Sequence, residues 1–435
     1  NELSHETLIQ QTSQISDTYV NDGIPFNLNL TLKGFRADTL VRELIGRLHE
    51  NNLCLQTQRL DAHLKVIIAN LIKGESFHRT RYPFYSRSPN YYKYIKRYNP
   101  LHITYRPLIS ATNGLTKLGL TKNYIGFFDR DKTKRGKQTR IVIEHPLFDL
   151  LKTYRIDIKD IISLPSEIIR LKDERKKLID YEDTDEIIKT RKRLIKHNTL
   201  LKRSDIAIEK SSDLNEYLSM EQNDVVDFTQ QSYHRIFSNS SFSLHGRFYG
   251  PWWQSIQSEM RKHITINQTT TVELDYSSLH LHLLYSKLGL DYGHEDDPYS
   301  LEGFDTSYRD IIKVATLTSL NMRTAKYFSQ TVSSRLQKQG IFRKDIPYKE
   351  IKERILAKHS KLKDYFFSGI GLELMFTDSC ITEYIIRKMT NKNIPILSIH
   401  DSYVVGVPYK DVLLSEMYKA FKYLELKSIP LIKVK

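Results

Sequence analysis

Two aspartates set inside apolar runs constrain this chain more than anything else in it: Asp275 in TVELDYSSLHLHLLYSKLG (271–289) and Asp401 in IPILSIHDSYVVGV (394–407). Runs of Val, Leu, Ile and Tyr read as buried strands, where a carboxylate is unfavourable unless a cation or hydrogen-bond donors satisfy it. A single such Asp is commonly a satisfied strand-end or turn residue. Two of them point to a divalent-metal site. Hard oxygen ligands suit Mg²⁺, and two such ions clamping an attacking and a leaving oxygen are used by polymerases and nucleases.

Between the two aspartates lies YRDIIK (308–313). Arg309 and Lys313 are four apart, so on a helix both heads project from one face and can neutralise a polyphosphate. Taken alone they are more often a solvated basic stripe. Phosphoryl transfer needs positioning and charge neutralisation rather than a covalent nucleophile, and two carboxylates with two cations supply that.

These segments resemble the single-subunit polymerase superfamily, which comprises the family A DNA polymerases and the phage-type or mitochondrial single-subunit RNA polymerases. The strand ending Asp275-Tyr276-Ser277 is similar to motif A, His400-Asp401-Ser402 to motif C, and Arg309 to Lys313 to the Arg-x-x-x-Lys of motif B. FSLHGRFYGPWWQSIQSEMRKHITI (242–266) is similar to the Gly-Arg element, with its following Gln, that precedes motif A. The resemblance covers roughly residues 235–435. It implies two Mg²⁺ ions, with Mn²⁺ able to substitute, held by Asp275, Asp401 and the carbonyl of Tyr276. It further implies that Arg309 and Lys313 hold a nucleoside triphosphate with Leu317 and Asn321 beside them, and that His280 lies near the sugar. Arg247, Gln254 and His400 would contact a DNA template-primer or an RNA-DNA hybrid.

Several positions depart from the pattern. Where the DNA branch has a Glu five residues after the motif A Asp, this chain has His280, and where motif B carries an aromatic and a Tyr, it has Leu317 and Asn321. Gly246-Arg247-Phe248-Tyr249 and His400 to Tyr403 lean toward the RNA branch, whereas Leu274 to Ser277 lean toward the DNA branch. The short intervals between the motifs imply small fingers, at about 290–360.

The 435 residues allow two or three domains. With 66 basic against 51 acidic residues, a net charge of +15 favours a polyanionic partner. Two distant cysteines, Cys54 and Cys380, argue against a disulfide framework or a Cys-based zinc site and fit a reducing cytoplasm. No apolar run is long enough to span a bilayer, and the opening NELSHETLIQQTSQ lacks the pattern of a signal peptide.

Residues 1–35 show little periodicity and read as a lead-in, and 36–155 as a winged-helix-like module. In that module an amphipathic helix (36–54) and a second apolar helix precede an aromatic and cationic stretch (77–106). A helix with Leu-Gly-Leu then leads into a hairpin, NYIGFFDRDKTKRGKQTRIVIEH (123–145). Lys132, Lys134, Arg135, Lys137 and Arg140 crowd that hairpin as phosphate contacts, which position without specifying sequence; the plain alternative is a solvated hairpin. Residues 163–203 read as an exposed helical hairpin in the place of a thumb, within a thumb-like span of 156–235, and 236–435 as a palm. Asp378 and Glu383, on a long helix at 361–395, could reach the active centre, but a capping or surface role is the commoner one for each. Trp252 and Trp253 read either as a duplex wall or as core.

The expectation is therefore an α/β (α+β) multidomain chain with a polymerase right-hand palm, reduced fingers, a helical thumb and an N-terminal winged-helix-like module. Its function is a template-directed nucleotidyltransferase, foremost a compact DNA polymerase of a plasmid, phage or other mobile element. An RNA polymerase or primase, and a catalytically silent replication initiator that binds DNA, remain as alternatives.

Overall fold

The computed structural model describes residues 23–53, 59–77, 80–93, 96–128, 136–219 and 226–435. It is a mixed α/β molecule that divides into two compact units, one within residues 1–167 and 212–227, the other within 168–211 and 228–435. The division does not follow the expected boundaries at 155 and 235.

In the first unit, strands β1 (Gly23–Pro25) and β2 (Leu30–Leu32) precede helices α1 (Phe35–Glu50) and α2 (Leu60–Glu75). Strand β3 (Tyr82–Tyr85) and helix α3 (Tyr105–Lys117) lead to β4 (Thr121–Tyr124), β5 (Phe127–Phe128), β6 (Gly136–Lys137) and β7 (Thr139–Ile143). Helix α4 (His145–Thr153) and β8 (Ile161–Ser163) follow. The sheet order is β1-β3-β7-β4, with β1 parallel to β3 and the other pairs antiparallel, while β2 pairs β8. Leu40, Leu44 and Leu48 of α1 recur at four-residue spacing and are buried, so this face seals the core with Leu108, Ala111 and Leu115 of α3. Helix α3 ends where Gly119, at φ 70°, lets the Leu120 N–H return to the Leu115 carbonyl, the geometry behind Leu-Gly-Leu.

The lead-in expectation is corrected for residues 23–35. Phe26, Leu30 and Leu32 are core residues, because strands of three residues are too short to show periodicity. The expected hairpin is present as the antiparallel β4/β7 pair, Thr121 opposite Ile143 through Tyr124 opposite Arg140. Lys132, Lys134 and Arg135 lie outside the described residues, as does Cys54.

The second unit opens with β9 (Ile169–Lys172) and β10 (Leu178–Ile179), an antiparallel pair, before helix α5 (Asp185–Arg203) and β11 (Ile206–Ile208). Strands β12 (His234–Ser238), β13 (Ser241–Tyr249), β14 (Ile264–Ile266) and β15 (Thr269–Tyr276) are followed by helix α6 (Leu279–Lys287). Three helices, α7 (Arg309–Asn321), α8 (Phe328–Lys338) and α9 (Tyr348–Lys358), occupy the span expected for fingers. Helix α10 (Gly371–Asn391), β16 (Ile396–Ile399), β17 (Ser402–Gly406), helix α11 (Lys410–Tyr423) and β18 (Ile432–Val434) complete the unit. One sheet runs β10-β9-β12-β13. The other runs β11-β14-β15-β17-β16, with β18 also on β15, and is antiparallel throughout.

The helical hairpin expected over 163–203 is not formed. Ile169 and Leu171 alternate with Arg170 and Lys172, a period of two that makes a strand, and Lys176 turns at φ 63°. The helix formers Glu174, Arg175 and Lys177 hide that alternation. Nor does the remaining helix α5 project as an arm: His197 Nδ1 lies 2.9 Å from Thr390 Oγ1 of α10, and Lys196 bonds Asn391. Trp252 and Trp253 are core residues, with Trp253 Nε1 donating to the buried Tyr233 hydroxyl at 2.7 Å.

Candidate active site

Strand β15 carries Leu274 and Tyr276 inward, leaving Glu273 and Asp275 together on its other face. Asp275 is opposite Ser402 of β17, and the Tyr276 N–H donates to the Asp401 carbonyl at 3.3 Å. The sequence-predicted aspartates thus stand at neighbouring ends of adjacent antiparallel strands. An interior residue of such a ladder directs its N–H and C=O to one side, so the Tyr276 carbonyl faces the turn that carries Asp401. Ile399 pairs with Ser402, making His400-Asp401 a two-residue turn, and His400 adopts φ 59°, a region uncommon for residues with a Cβ. Burial and then the charge of Asp401 push the Asp275 carboxyl above its usual range. Asp401 is raised by burial and by Asp378, against the opposing pull of Arg247.

The capping or surface role preferred for Asp378 from the sequence is corrected by its burial. Asp378 lies on α10 with 1% of its side chain exposed, bound by Arg247 through Nε at 2.8 Å and also through Nη2. Burial alone would raise its carboxyl, but Arg247 and His280 hold it below the usual range. Among the described residues its other oxygen, Oδ1, is buried without a hydrogen-bond partner, as is His400 Nδ1. His280 Nε2 lies 3.1 Å from Arg247 Nη2 and 3.8 Å from Asp378. Arg247 is therefore committed to Asp378 rather than presented to solvent. His400 packs edge-on to Tyr249 at 5.4 Å, and its pKa is lowered by burial and by Arg247. Glu383, also placed at the surface by sequence, instead bonds Arg235 at 2.6 Å and Arg193 at 2.9 Å.

The carboxylate face of β15 holds further groups that sequence reasoning passed over. Glu273 accepts from Arg261 at 2.9 and 3.1 Å and from Ser402 at 2.7 Å, and burial notwithstanding, these donors lower its pKa. Lys435 Nζ lies 2.7 Å from Asp275 Oδ2. Glu273 sits two residues before Asp275, the strand period, which is a signal the sequence did carry. Nothing in it announced Lys435.

Helix α7 begins at Arg309. That guanidinium bonds Asp297 at 2.5 and 3.2 Å and lies 5.5 Å from the Tyr299 ring centre. Tyr299 is buried, and burial raises its hydroxyl pKa, with Asp401 and Asp297 adding to the rise. Lys313 is exposed on the same helix, and Leu317 is half-buried. Asn321 donates to the Leu317 carbonyl at 2.6 Å and fills the space a Cβ on Gly371 would need, 1.9 Å from its Oδ1. It serves the contact of α7 with α10.

Gln254 is spent inside the fold: its amide donates to the Phe248 and Ser398 carbonyls at 3.1 and 3.0 Å and accepts from the Gly250 N–H at 3.2 Å. These bonds clamp β13 to β16. Lys137 belongs to β6. The Arg140 guanidinium lies over Phe84 at 6.0 Å, against the sheet rather than at the hairpin tip.

Among the described residues no group of three or more His, Cys, Asp or Glu side chains is arranged to hold a metal. Mg²⁺ is often bound by one or two carboxylates with backbone, water and substrate oxygens making up the rest. Asp275, Asp401 and the Tyr276 carbonyl are the oxygens that could contribute to such a set, and the proton affinity raised on both carboxyls marks negative charge that a hard cation would relieve.

No family model and no curated protein matches this chain. Among solved structures, the POL domain of Pol1 from M. smegmatis, in complex with DNA primer-template and dNTP, aligns with a TM-score of 0.27 and 11% identity. The alignment covers 99% of this chain and 69% of that one. A likeness that low carries no weight for fold or function. No helix among the described residues is long and apolar enough to cross a membrane.

Proposed function

We propose that this protein is a template-directed nucleotidyltransferase, a compact DNA polymerase with a family A-like palm built on β15, β16 and β17. The observation that carries this reading is the Asp275–Asp401 pair, one carboxylate at the end of β15 and the other on the adjoining β16–β17 turn, with Asp275 raised by burial and Asp401, and Asp401 raised by burial and Asp378. Such a pair opposes folding, so a silent scaffold has no use for it. Asp275, Asp401 and the Tyr276 carbonyl would hold Mg²⁺, which when bound activates a primer 3′-hydroxyl and stabilises departing pyrophosphate. Lys313 would meet the triphosphate as a point charge, and Arg309 would join it by exchanging Asp297 for phosphate, a bidentate acceptor of the same kind. Asp378 would fix Arg247 and His280 beside Asp401, while the α3–β7 segment of the first unit would bind the template as a winged-helix-like module.

A second reading, an RNA polymerase or primase, is favoured by the His280 imidazole, which could hydrogen-bond a ribose 2′-hydroxyl where the DNA branch has an excluding Glu. Primer extension with dNTPs or NTPs, with and without primer, separates the two. Extension should require primer and prefer dNTPs, and Asp275→Asn or Asp401→Asn should reduce it on the order of 10³-fold or more while leaving the fold intact. Extension near the wild-type rate by either variant would sink the assignment.

A further inference from the structure

Lys435 reaches the carboxylate pair from outside every motif segment. Strand β18 lies antiparallel to β15 with Lys433 opposite Asp275, and the Lys435 N–H donates to the Glu273 carbonyl at 3.0 Å. Register partners share a face, so β18 brings its lysines to the side that bears Glu273 and Asp275. Lys435 Nζ stands 2.7 Å from Asp275 Oδ2 and 3.5 Å from Glu273 Oε1. Glu273 already has Arg261 and Ser402. For Asp275, by contrast, Lys435 is the one cation within ion-pair distance among the described residues. Its side chain is 46% exposed, so the ammonium can leave for water without opening the core.

We propose that Lys435 is an exchangeable counter-cation, a positioning residue that holds Asp275 beside Asp401 until a divalent cation displaces it. This rests on the reading of the two aspartates as metal ligands. An ammonium is a hydrated point charge on a flexible stem, whereas one dication opposes both carboxylates at once, so the two compete for the same oxygen. The wild-type chain then binds metal more weakly than its carboxylates alone would allow.

Mn²⁺ titration of the full chain without nucleotide, followed by electron paramagnetic resonance, tests this directly. Lys435→Gln should tighten Mn²⁺ binding roughly threefold to tenfold, the range set by a partly exposed ion pair. Lys435→Arg should restore the wild-type value, and Asp275→Asn should weaken binding in both the wild-type and Lys435→Gln backgrounds. Unchanged or weaker binding by Lys435→Gln, with Asp275→Asn still damaging, overturns the counter-cation alone. Binding indifferent to Asp275→Asn overturns the metal assignment and this inference with it.

Discussion

Asp275 and Asp401 hold their protons more tightly in the folded chain than an unfolded Asp would. Their contribution to stability is therefore fully present below the unfolded pKa, about 3.9, and is lost as pH rises through the folded values. Asp378 has the opposite sign: its depressed carboxyl stabilises above the unfolded pKa and loses that contribution as pH falls through the folded value. In metal-free buffer Asp401→Asn should accordingly melt higher than wild type at neutral pH, by roughly 1–2 °C, with the gap closing toward acid. Thermal denaturation across pH checks this, and a gap that widens toward acid contradicts it. The Arg247–Asp378 pair calls for a different outcome. Removing either partner leaves a buried charge uncompensated, so Arg247→Ala or Asp378→Ala should each lose about 3–5 kcal/mol. A double-mutant cycle in urea should show that the second substitution adds little.

At the level of elements, β13 and α10 meet at Gly246. Its φ is 72°, and a Cβ there would stand 2.6 Å from Ser379 Oγ and 3.0 Å from the Phe237 ring. Gly246→Ala should cost about 1–3 kcal/mol through strain and separation of strand from helix. Measured next to Gly340→Ala, which has a similar φ but open space around it, the difference isolates the packing part. The same helix shows what was legible from sequence and what was not. Asp275 and Asp401 stood out because a carboxylate breaks an apolar strand. Asp378 breaks an apolar face just as sharply, falling at helical spacing with Leu374, Ile381 and Ile385, all buried. A helix rich in polar residues dilutes that contrast, which left a capping or surface role as the preferred reading. In 169–179 the helix-forming composition of the turn masked two short strands, since strand pairing is a long-range property that local propensity does not carry. Lys435 is set by register alone, which no local pattern encodes.

For the molecule as a whole, a charge of +15 makes binding to a polyanion strongly salt-dependent. Reversing Lys132, Lys134 and Arg135 to Glu should weaken template binding and flatten the plot of log affinity against log salt. The slope should fall by about 0.9 for each duplex phosphate that is no longer neutralised. Fluorescence anisotropy from low to moderate salt reads this out, and an unchanged slope returns the hairpin to ordinary surface. The two aspartates are also mounted unequally. Asp275 belongs to a strand held on both sides, by β17 and by β18, while Asp401 rides on a two-residue turn between β16 and β17. One jaw of the pair is bolted to the frame and the other hangs on a hinge pin at His400. The gap between the jaws can therefore be reset from position 400 without disturbing the sheet, whereas any change at 275 must pull on two neighbouring strands at once.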